Sequence, residues 1–420
     1  MGFDVVYFPP IHPIGHVFRK GKNNSLNAGP DEPGCPYATG SEDGGHKEIL
    51  SELGTLQDFK RLIKKTSELD MEVAMDFAIQ CSLDHPYVKK HPQWFKWRPD
   101  GTVQYAENPP KKYQDVLPLD FENEDWQNMW HELKGILEYW IAQGIKIFRV
   151  DNPHTKSFIF WQWCIAEINK KNPEVIFLSE AFTRPRIMEN LAKKGFHQSY
   201  TYFTWRNNKH ELMQYMNELT QSPMKEYFRP NFWPNTHDIN PYITQNAHEP
   251  QYILRLFLAA TLSANYGIFG PSYELMAHAA IPGKEEYLNS EKYEVRHWDW
   301  NHRNKLMHVI SSINKIRNEN VAMQFTNNYT ECHVENEHMM AWLKVYNDNK
   351  ILCIANLDAY NKQSATVHIP LDKIGKFEGQ GFSVHDLVTG EKYNWNGSRN
   401  YVELDPYRLP FHIFRIEENN

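Results

Sequence analysis

The sequence predicts an α/β fold in which parallel strands alternate with helices and close into a barrel, followed by a C-terminal β-sandwich. Three observations carry this. Strand-like and helix-like patterns alternate from residue 3 to about residue 270, the arrangement that right-handed crossovers turn into a parallel sheet. Two of the strands, 145–151 and 175–180, are nearly continuous apolar runs, as expected for parallel strands buried on both faces. After Met323 the pattern changes to short alternating strands separated by turn clusters, the signature of a sandwich.

Taken in order, the barrel strands are expected at 3–8, 71–76, 145–151, 175–180, 199–203, 231–238 and 266–270, seven in all, with helices at 56–68, 126–143 and 158–170 between them. Residues 81–120 are rich in Pro, Lys, Trp and Tyr. A stretch that long between elements of a compact domain is usually functional or a small subdomain. The sandwich strands are expected at 338–346, 350–357, 365–370, 382–388 and 411–416. The domain reading is therefore a catalytic barrel over 1–322, with an inserted subdomain at about 81–120, and a sandwich over 323–420. No internal repeat or low-complexity tract interrupts it.

At 420 residues, 41% hydrophobic and 23% charged, the chain can bury a large core. Its net charge of −7 argues against nucleic acid as a partner, which demands a basic footprint. Aromatics reach 14%; core packing absorbs most of them, and the surplus suits stacking surfaces for sugar rings. The five cysteines, at 35, 81, 164, 332 and 353, form no C-x-x-C pair and read as free thiols of a reducing compartment. Without a signal peptide or an apolar stretch near the ~20 residues that span a bilayer, the expectation is a cytoplasmic protein with no membrane partner. The triplets at Asn328 and Asn396 then mean only turns.

Chemistry gathers at the strand ends. Asp76 closes the second strand, Arg149 and Asp151 the third, Glu180 the fourth, and His237 with Asp238 the sixth. The C-terminal rim of such a barrel is where active sites are built. A retaining glycosyl transfer needs one carboxylate as nucleophile and another about 5–5.5 Å away as acid/base, and Asp151 and Glu180 suit those roles. Arg149, two residues before Asp151, points to the same face of its strand and can keep that Asp an anion. Glu180 must hold a proton, which apolar neighbours such as Phe182 would favour.

The stretches Gly144–Asp151, Ser179-Glu180 and Asn235-Thr236-His237-Asp238 resemble the motifs of the α-amylase superfamily, glycoside hydrolase family 13. The segments at 9–15, 19–24, 106–115, 151–156, 199–206 and 290–294 resemble, more narrowly, the α-1,4-glucan:maltose-1-phosphate maltosyltransferases within it. The resemblance implies a TIM (β/α)8 barrel whose first strand is lacking from this chain, with the excursion following strand 3 and the C-terminal β-sandwich. It implies Asp151 as nucleophile, Glu180 as general acid/base, Asp238 as transition-state stabiliser and Arg149 as the partner of Asp151. It further implies transfer of maltosyl units from α-maltose 1-phosphate to the non-reducing end of an α-1,4-glucan with release of phosphate, and a homodimer for the full-length protein.

A phosphate leaving group needs cationic and hydroxyl donors, which Asn108, Lys111 and Tyr113 can supply from one loop. By analogy Lys20, Asn24, Gln80, Asp115, Asn152, Lys292 and Tyr293 line the donor sugar subsites. For Lys20 and Lys22 a surface charge cluster is the alternative. Gln80-Cys81 stands where general amylases carry Asn-His, in keeping with a transferase. His237 precedes Asp238 as in ordinary amylases, where these maltosyltransferases commonly have Pro; a sugar ligand and a buried structural histidine are both open readings for it. No cofactor is implied: G-x-x-x-x-G-K-[ST], H-E-x-x-H and a full G-x-G-x-x-G are absent from the sequence, and no metal site is indicated. The competing functions are an amylase-type hydrolase and a non-catalytic carbohydrate-binding scaffold.

Overall fold

A computed structural model describes residues 1–102, 104–108 and 111–418, with the backbone alone at residue 108. The chain divides into two compact units, one of Phe3–Tyr200 with Leu288–His297, the other of Met1–Gly2, Thr201–Tyr287 and Trp298–Asn420.

The first unit holds five parallel strands in the order β1-β2-β5-β6-β7. β1 (Val5–Phe8) leads to helix α1 (Leu56–Ser67), whose start is set by a capping box: the Thr55 hydroxyl accepts from the Asp58 N–H and the Asp58 carboxylate accepts from the Thr55 N–H. β2 (Glu72–Phe77) follows, buried from Val73 onward. Then comes the excursion, built from the short helix α2 (Pro86–Lys90) and the hairpin β3 (Ala106–Asn108) with β4 (Lys111–Tyr113). Backbone bridges from Cys81 to Leu117 and from Phe95 to Leu119 tie it down, so the long irregular stretch has a structure of its own. α3 (Trp126–Ala142) buries Met129, Leu133, Ile136, Leu137 and Trp140, a stripe at helical spacing that faces the sheet. β5 (Ile147–Asp151), α4 (Phe158–Lys171), β6 (Ile176–Glu180), α5 (Pro185–Lys193) and β7 (Gln198–Tyr200) complete the unit. Phe148 stacks on Phe177, ring centres 5.8 Å apart, and the Trp161 ring meets Phe77 edge-on at 6.3 Å. Phe148 and Phe177 are register partners and Phe77 pairs with Val150, so these rings pack on the face opposite Asp76, Arg149 and Asp151. β5 and β6 are buried from their second residue onward, the reason both read as continuous apolar runs.

The second unit opens with α6 (Lys209–Gln221), then β8 (Pro230–Phe232), α7 (Glu249–Leu262), β9 (Asn265–Tyr266) and α8 (Lys305–Glu319), with β8 and β9 paired in parallel. Its antiparallel part comprises β10 (Tyr329–Val334), β11 (Met339–Tyr346), β12 (Asn349–Asn356), β13 (Gln363–His368), β14 (Gly381–Asp386), β15 (Lys392–Asn396), β16 (Arg399–Leu404) and β17 (Phe411–Glu417), in the order β15-β14-β17-β12-β11-β10-β13-β16. β10 pairs with β11 on one side and β13 on the other. Cys332, Leu352, Val367, Phe382, Val402 and Phe414 share one core.

Three expected strands are shorter than their sequence pattern. β7 stops at Tyr200 and the chain turns through a 3-10 helix at Tyr202–Trp205. β8 stops at Phe232, just before Trp233-Pro234, where Pro lacks the N–H a continuing ladder needs. β9 has only two residues. All five cysteines are buried and free. Among the described residues no helix is long and apolar enough to cross a membrane.

Candidate active site

Strand register assembles the site. Asp76 on β2 pairs directly with Arg149 on β5, and Asp151 on β5 pairs directly with Glu180 on β6. Register partners share a face, as do residues two apart on one strand, so all four side chains project to the same side. Neighbouring strands run about 4.7–4.9 Å apart, which sets Asp151 beside Glu180.

The Arg149 guanidinium joins the three carboxylates. Its Nη1 donates to Asp76 Oδ2 at 2.8 Å and to Asp151 Oδ1 at 2.9 Å, and its Nη2 lies 3.3 Å from Glu180 Oε2. Burial opposes the charge of Arg149, but the surrounding carboxylate Asp76 and the phenols of Tyr37 and Tyr7 hold its pKa well above the ordinary arginine value. On Asp76, Oδ2 also accepts from the hydroxyls of Tyr7 at 2.6 Å and Tyr37 at 2.7 Å. Burial still raises Asp76 to about 6, against the attraction of Arg149 and with the repulsion of Asp151.

Asp151 keeps its second oxygen for Gln80, whose Nε2 donates to Oδ2 at 2.7 Å. At Asn152 the backbone enters the left-handed region, with φ 43°, a conformation Asn tolerates better than most residues. That turn aims the Asn152 N–H at Glu180 Oε2, 3.2 Å away. Lys156 holds the turn, its Nζ donating to the carbonyls of Asp151 at 3.1 Å and Asn152 at 3.2 Å; burial lowers its pKa, against the attraction of Asp151 and Glu180. The Glu180 carboxylate meets the Arg149 guanidinium and the Asn152 N–H, and Phe182, the residue expected to shield it, packs edge-on against Tyr200.

Beside this cluster lies a cleft of about 270 Å³ lined by Gln80, Asn152, Lys156, Tyr105, Tyr113 and Phe121 among others. Tyr113 thus reaches the site from the hairpin. Lys111 stands opposite Asn108 in that hairpin and is half-buried; the Asn108 side chain lies outside the described residues. Lys20 is 3% exposed, not part of a surface charge cluster; its Nζ donates to Gln114 Oε1. Its charge and that of Lys292 act on the buried Asp115, whose pKa burial raises. Lys292 sits 5.0 Å over the Tyr37 ring and 5.9 Å from that of Tyr293. Asn24 adopts φ 63°, and its neighbour Asn23 bonds to Asn289, tying this loop to the segment that carries Lys292 and Tyr293. Lys22 is exposed, with only a loose pairing to Glu294 at 3.9 Å.

His237 and Asp238 belong to the other compact unit. They sit in a tight turn closed by two backbone hydrogen bonds between Thr236 and Ile239, with His237 Nε2 3.4 Å from Asp238 Oδ2. Asp238 is thus a turn residue, not the end of a strand.

Sequence reasoning left Tyr7, Tyr37 and Lys156 out of the site. Tyr7 had a readable signal: it pairs with Ala74, two residues before Asp76, and so shares its face. Tyr37 comes from an irregular loop with no such signal.

Among the described residues, His46, Cys81 and His85 bring metal-ligand atoms within 4.8 Å of one another. Hydrogen bonding accounts for the placement of the two histidines. The Tyr87 N–H donates to His85 Nδ1 at 3.0 Å, which leaves His85 Nε2–H to donate to His46 Nδ1 at 3.1 Å. His46 Nε2–H then donates to the Ala78 carbonyl at 2.8 Å. Burial lowers His46 to about 4 and His85 well below its ordinary value, so this is a neutral chain in which each imidazole has one tautomer.

A family model described as "GLGE, C-terminal" matches residues 332–416. The chain is 53% identical to the α-1,4-glucan:maltose-1-phosphate maltosyltransferase of Chlorobaculum tepidum, over 99% of this chain and 63% of that protein. It is 50% identical to the protein of the same name from Methylacidiphilum infernorum, over 100% of this chain and 63% of that protein. The chain therefore spans a little under two thirds of the length of these curated relatives. Among solved structures, it is similar to the maltogenic α-amylase AmyB of Thermotoga neapolitana, with TM-score 0.76 and 18% identity over 100% of this chain and 91% of that one. It is also similar to the α-amylase of Geobacillus thermoleovorans complexed with acarbose, with TM-score 0.77 and 16% identity over 100% and 89%. These likenesses show the fold: an α-amylase-type barrel with an excursion after β2 and a C-terminal β-sandwich.

Proposed function

We propose, from this chain's homology along its whole length to the α-1,4-glucan:maltose-1-phosphate maltosyltransferases, that it carries the catalytic machinery of a retaining maltosyl transfer from α-maltose 1-phosphate to an α-1,4-glucan. The observation that carries the reading is the in-register pair of Asp151 and Glu180, both joined to Arg149. In the first step Asp151 Oδ attacks the anomeric carbon, the bond from that carbon to the phosphate oxygen breaks, and Glu180 gives its proton to the departing phosphate. In the second, the acceptor's 4-hydroxyl attacks the same carbon, Glu180 takes the hydroxyl proton, and Asp151 leaves as a carboxylate. Two inversions at one carbon retain the α configuration.

Arg149 and Gln80 each occupy one oxygen of Asp151, which fixes the plane of the nucleophile before the sugar arrives. Tyr113, Lys111 and Asn108 are the donors proposed for the phosphate. Lys20, Asn24, Asp115, Asn152, Lys292 and Tyr293 are proposed for the donor sugars, with Asp238 as stabiliser of the oxocarbenium-like transition state. The reaction belongs to α-glucan synthesis of the glycogen type, in the cytoplasm, by a homodimer. A second reading, hydrolysis in the manner of an α-amylase, rests on His237 beside Asp238.

The test uses a 2-deoxy-2-fluoro-maltosyl donor on the Glu180→Ala variant, read by mass spectrometry of peptides. A maltosyl adduct on Asp151 is expected, and an adduct elsewhere or an inverted product would end the two-step mechanism. With α-maltose 1-phosphate and maltohexaose, release of phosphate and growth by two glucose units distinguish transfer from hydrolysis.

A further inference from the structure

The geometry points to a second carbohydrate-binding site, outside the catalytic cluster, formed by Tyr360, Tyr407 and His248 and suited to the pyranose faces of an α-glucan chain. Tyr360 and Tyr407 are 60% and 62% exposed. Each sits in an Asp-x-Tyr turn in which the Asp carboxylate accepts the tyrosine's own N–H: Asp358 Oδ1 from Tyr360 at 2.9 Å, and Asp405 Oδ1 from Tyr407 at 3.0 Å. Asp358 also accepts from Asn361 and Gln363. The two turns come from different loops, one between β12 and β13 and the other between β16 and β17, and they converge on His248 at the start of α7. The His248 ring stacks on Tyr360, centres 4.3 Å apart, and lies 6.0 Å from Tyr407. Its Nε2–H donates to the Ala359 carbonyl at 2.9 Å, and Lys305 Nζ donates to the Tyr407 carbonyl at 3.0 Å.

The result is a pair of rigid phenol rings backed by an imidazole, each with a face and an edge open to water. Packing does not explain them, because packing would cover them. Among the described residues neither phenol hydroxyl has a hydrogen-bond partner, so each ring offers an apolar face and a free polar tip. A sugar ring has the complementary surface, C–H groups on its faces and hydroxyls around its rim. The choice of α-glucan as occupant rests on the proposed function, whose acceptor is a polymer long enough to engage a second site while its end is elongated. Holding the polymer at two places raises its effective concentration at the first.

The test is electrophoresis of the chain through native gels containing glycogen, or dextran as the α-1,6-linked control, with Asp151 adduct formation from the fluorinated donor measured in parallel. Tyr360→Ala with Tyr407→Ala is expected to weaken retention by glycogen about tenfold or more, the effect of losing two aromatic contacts worth roughly 0.5–1.5 kcal/mol each, while the adduct forms as before. Tyr360→Trp with Tyr407→Trp is expected to keep retention, which separates stacking from a folding defect. Retention of the double alanine variant equal to the parent overturns the site, as does a parent that glycogen does not slow at all. An absent adduct together with glycogen retention lost in the alanine variant removes the catalytic reading and leaves the site standing.

Discussion

Replacing Arg149 by Met should unfold the electrostatics of the site in a pH-dependent way that can be computed from its contacts. The side chains of Asp76, Asp151 and Glu180 are 0%, 5% and 10% exposed, and one guanidinium bonds or pairs with all three. Removing one partner of a buried ion pair costs about 3–5 kcal/mol because the other charge stays buried. The cost here depends on how many carboxylates can escape by taking up a proton. Asp76 has a folded-state pKa already raised to about 6 by burial, with Arg149 opposing the rise; without Arg149 it rises further. A carboxyl group with a raised folded-state pKa contributes stability that is complete below the unfolded value and is lost as pH climbs through the folded one. The Met variant should therefore lie close to the parent at pH 5. It should fall behind by up to ~1.4 kcal/mol per pH unit for each carboxyl that stays protonated only when folded, reaching a deficit of about 3–5 kcal/mol by pH 8. Urea denaturation at pH 5, 6.5 and 8 measures this. Arg149→Lys should restore part of the stability and little of the Asp151 adduct rate, since an ammonium is a point charge and cannot fork across three carboxylates. A stability deficit that is the same at pH 5 and pH 8, or an adduct rate in the Met variant equal to the parent's, would refute the reasoning.

Two further outcomes test the surroundings. Lys344 is fully buried with its Nζ 3.3 Å from the Thr261 carbonyl, and burial, with the charge of Arg317 nearby, lowers it to about 7; its share of stability is complete above the unfolded value of about 10.4 and is lost as pH falls toward 7. Lys344→Met should thus stabilise at pH 7 by about 1–3 kcal/mol after the unpaired carbonyl is counted and flatten the pH dependence between 7 and 10, both read from denaturation midpoints; an unchanged slope would contradict it. Burial also lowers His12 to about 3, with the His46 charge adding to it, and His46 to about 4; their contribution is present above the unfolded value of about 6.5 and lost as pH falls to 4, so His46→Gln should make the acid limb of the melting curve shallower. Equal acid limbs in parent and variant would show that the histidine chain does not govern it.

What was legible in the sequence followed from periodicity. Strands such as 145–151 and 175–180 announce themselves because both faces are buried, and two-residue alternation then fixes that Arg149 and Asp151 share a face. The carboxylate pair needed one further inference, that β5 and β6 lie side by side in register, which the intervening helix α4 makes natural. The short strands were overestimated for the same reason that the long ones were found. Apolar runs such as 266–270 continue into turns, where local hydrogen bonding and Pro decide the backbone. Tyr37 was beyond reach, since an irregular loop carries no period to say where its ring points. The donor at Glu180 was equally hidden, since the Asn152 N–H reaches it from a left-handed turn that no propensity scale marks.

The division of labour in the site follows from this difference between strands and loops. Strand register supplies the groups whose spacing must not drift: Asp76, Arg149, Asp151 and Glu180 stand on β2, β5 and β6, held by backbone ladders and by an aromatic core on the opposite face of the sheet. Loops supply the groups that line the cleft beside them, Gln80 just past β2, Asn152 just past β5 and Tyr113 from the hairpin. With Glu180 protonated for the first step, Asp76 and Asp151 are the two carboxylates left to share one guanidinium. Lys156 supplies a second positive charge, yet its Nζ is engaged by two backbone carbonyls rather than by a carboxylate. The arrangement is costly for folding and useful for chemistry. On the proposed mechanism, the Asp151 carboxylate, held at one oxygen by Arg149 and at the other by Gln80, faces the positive charge that develops on the anomeric carbon as its bond to the leaving group stretches.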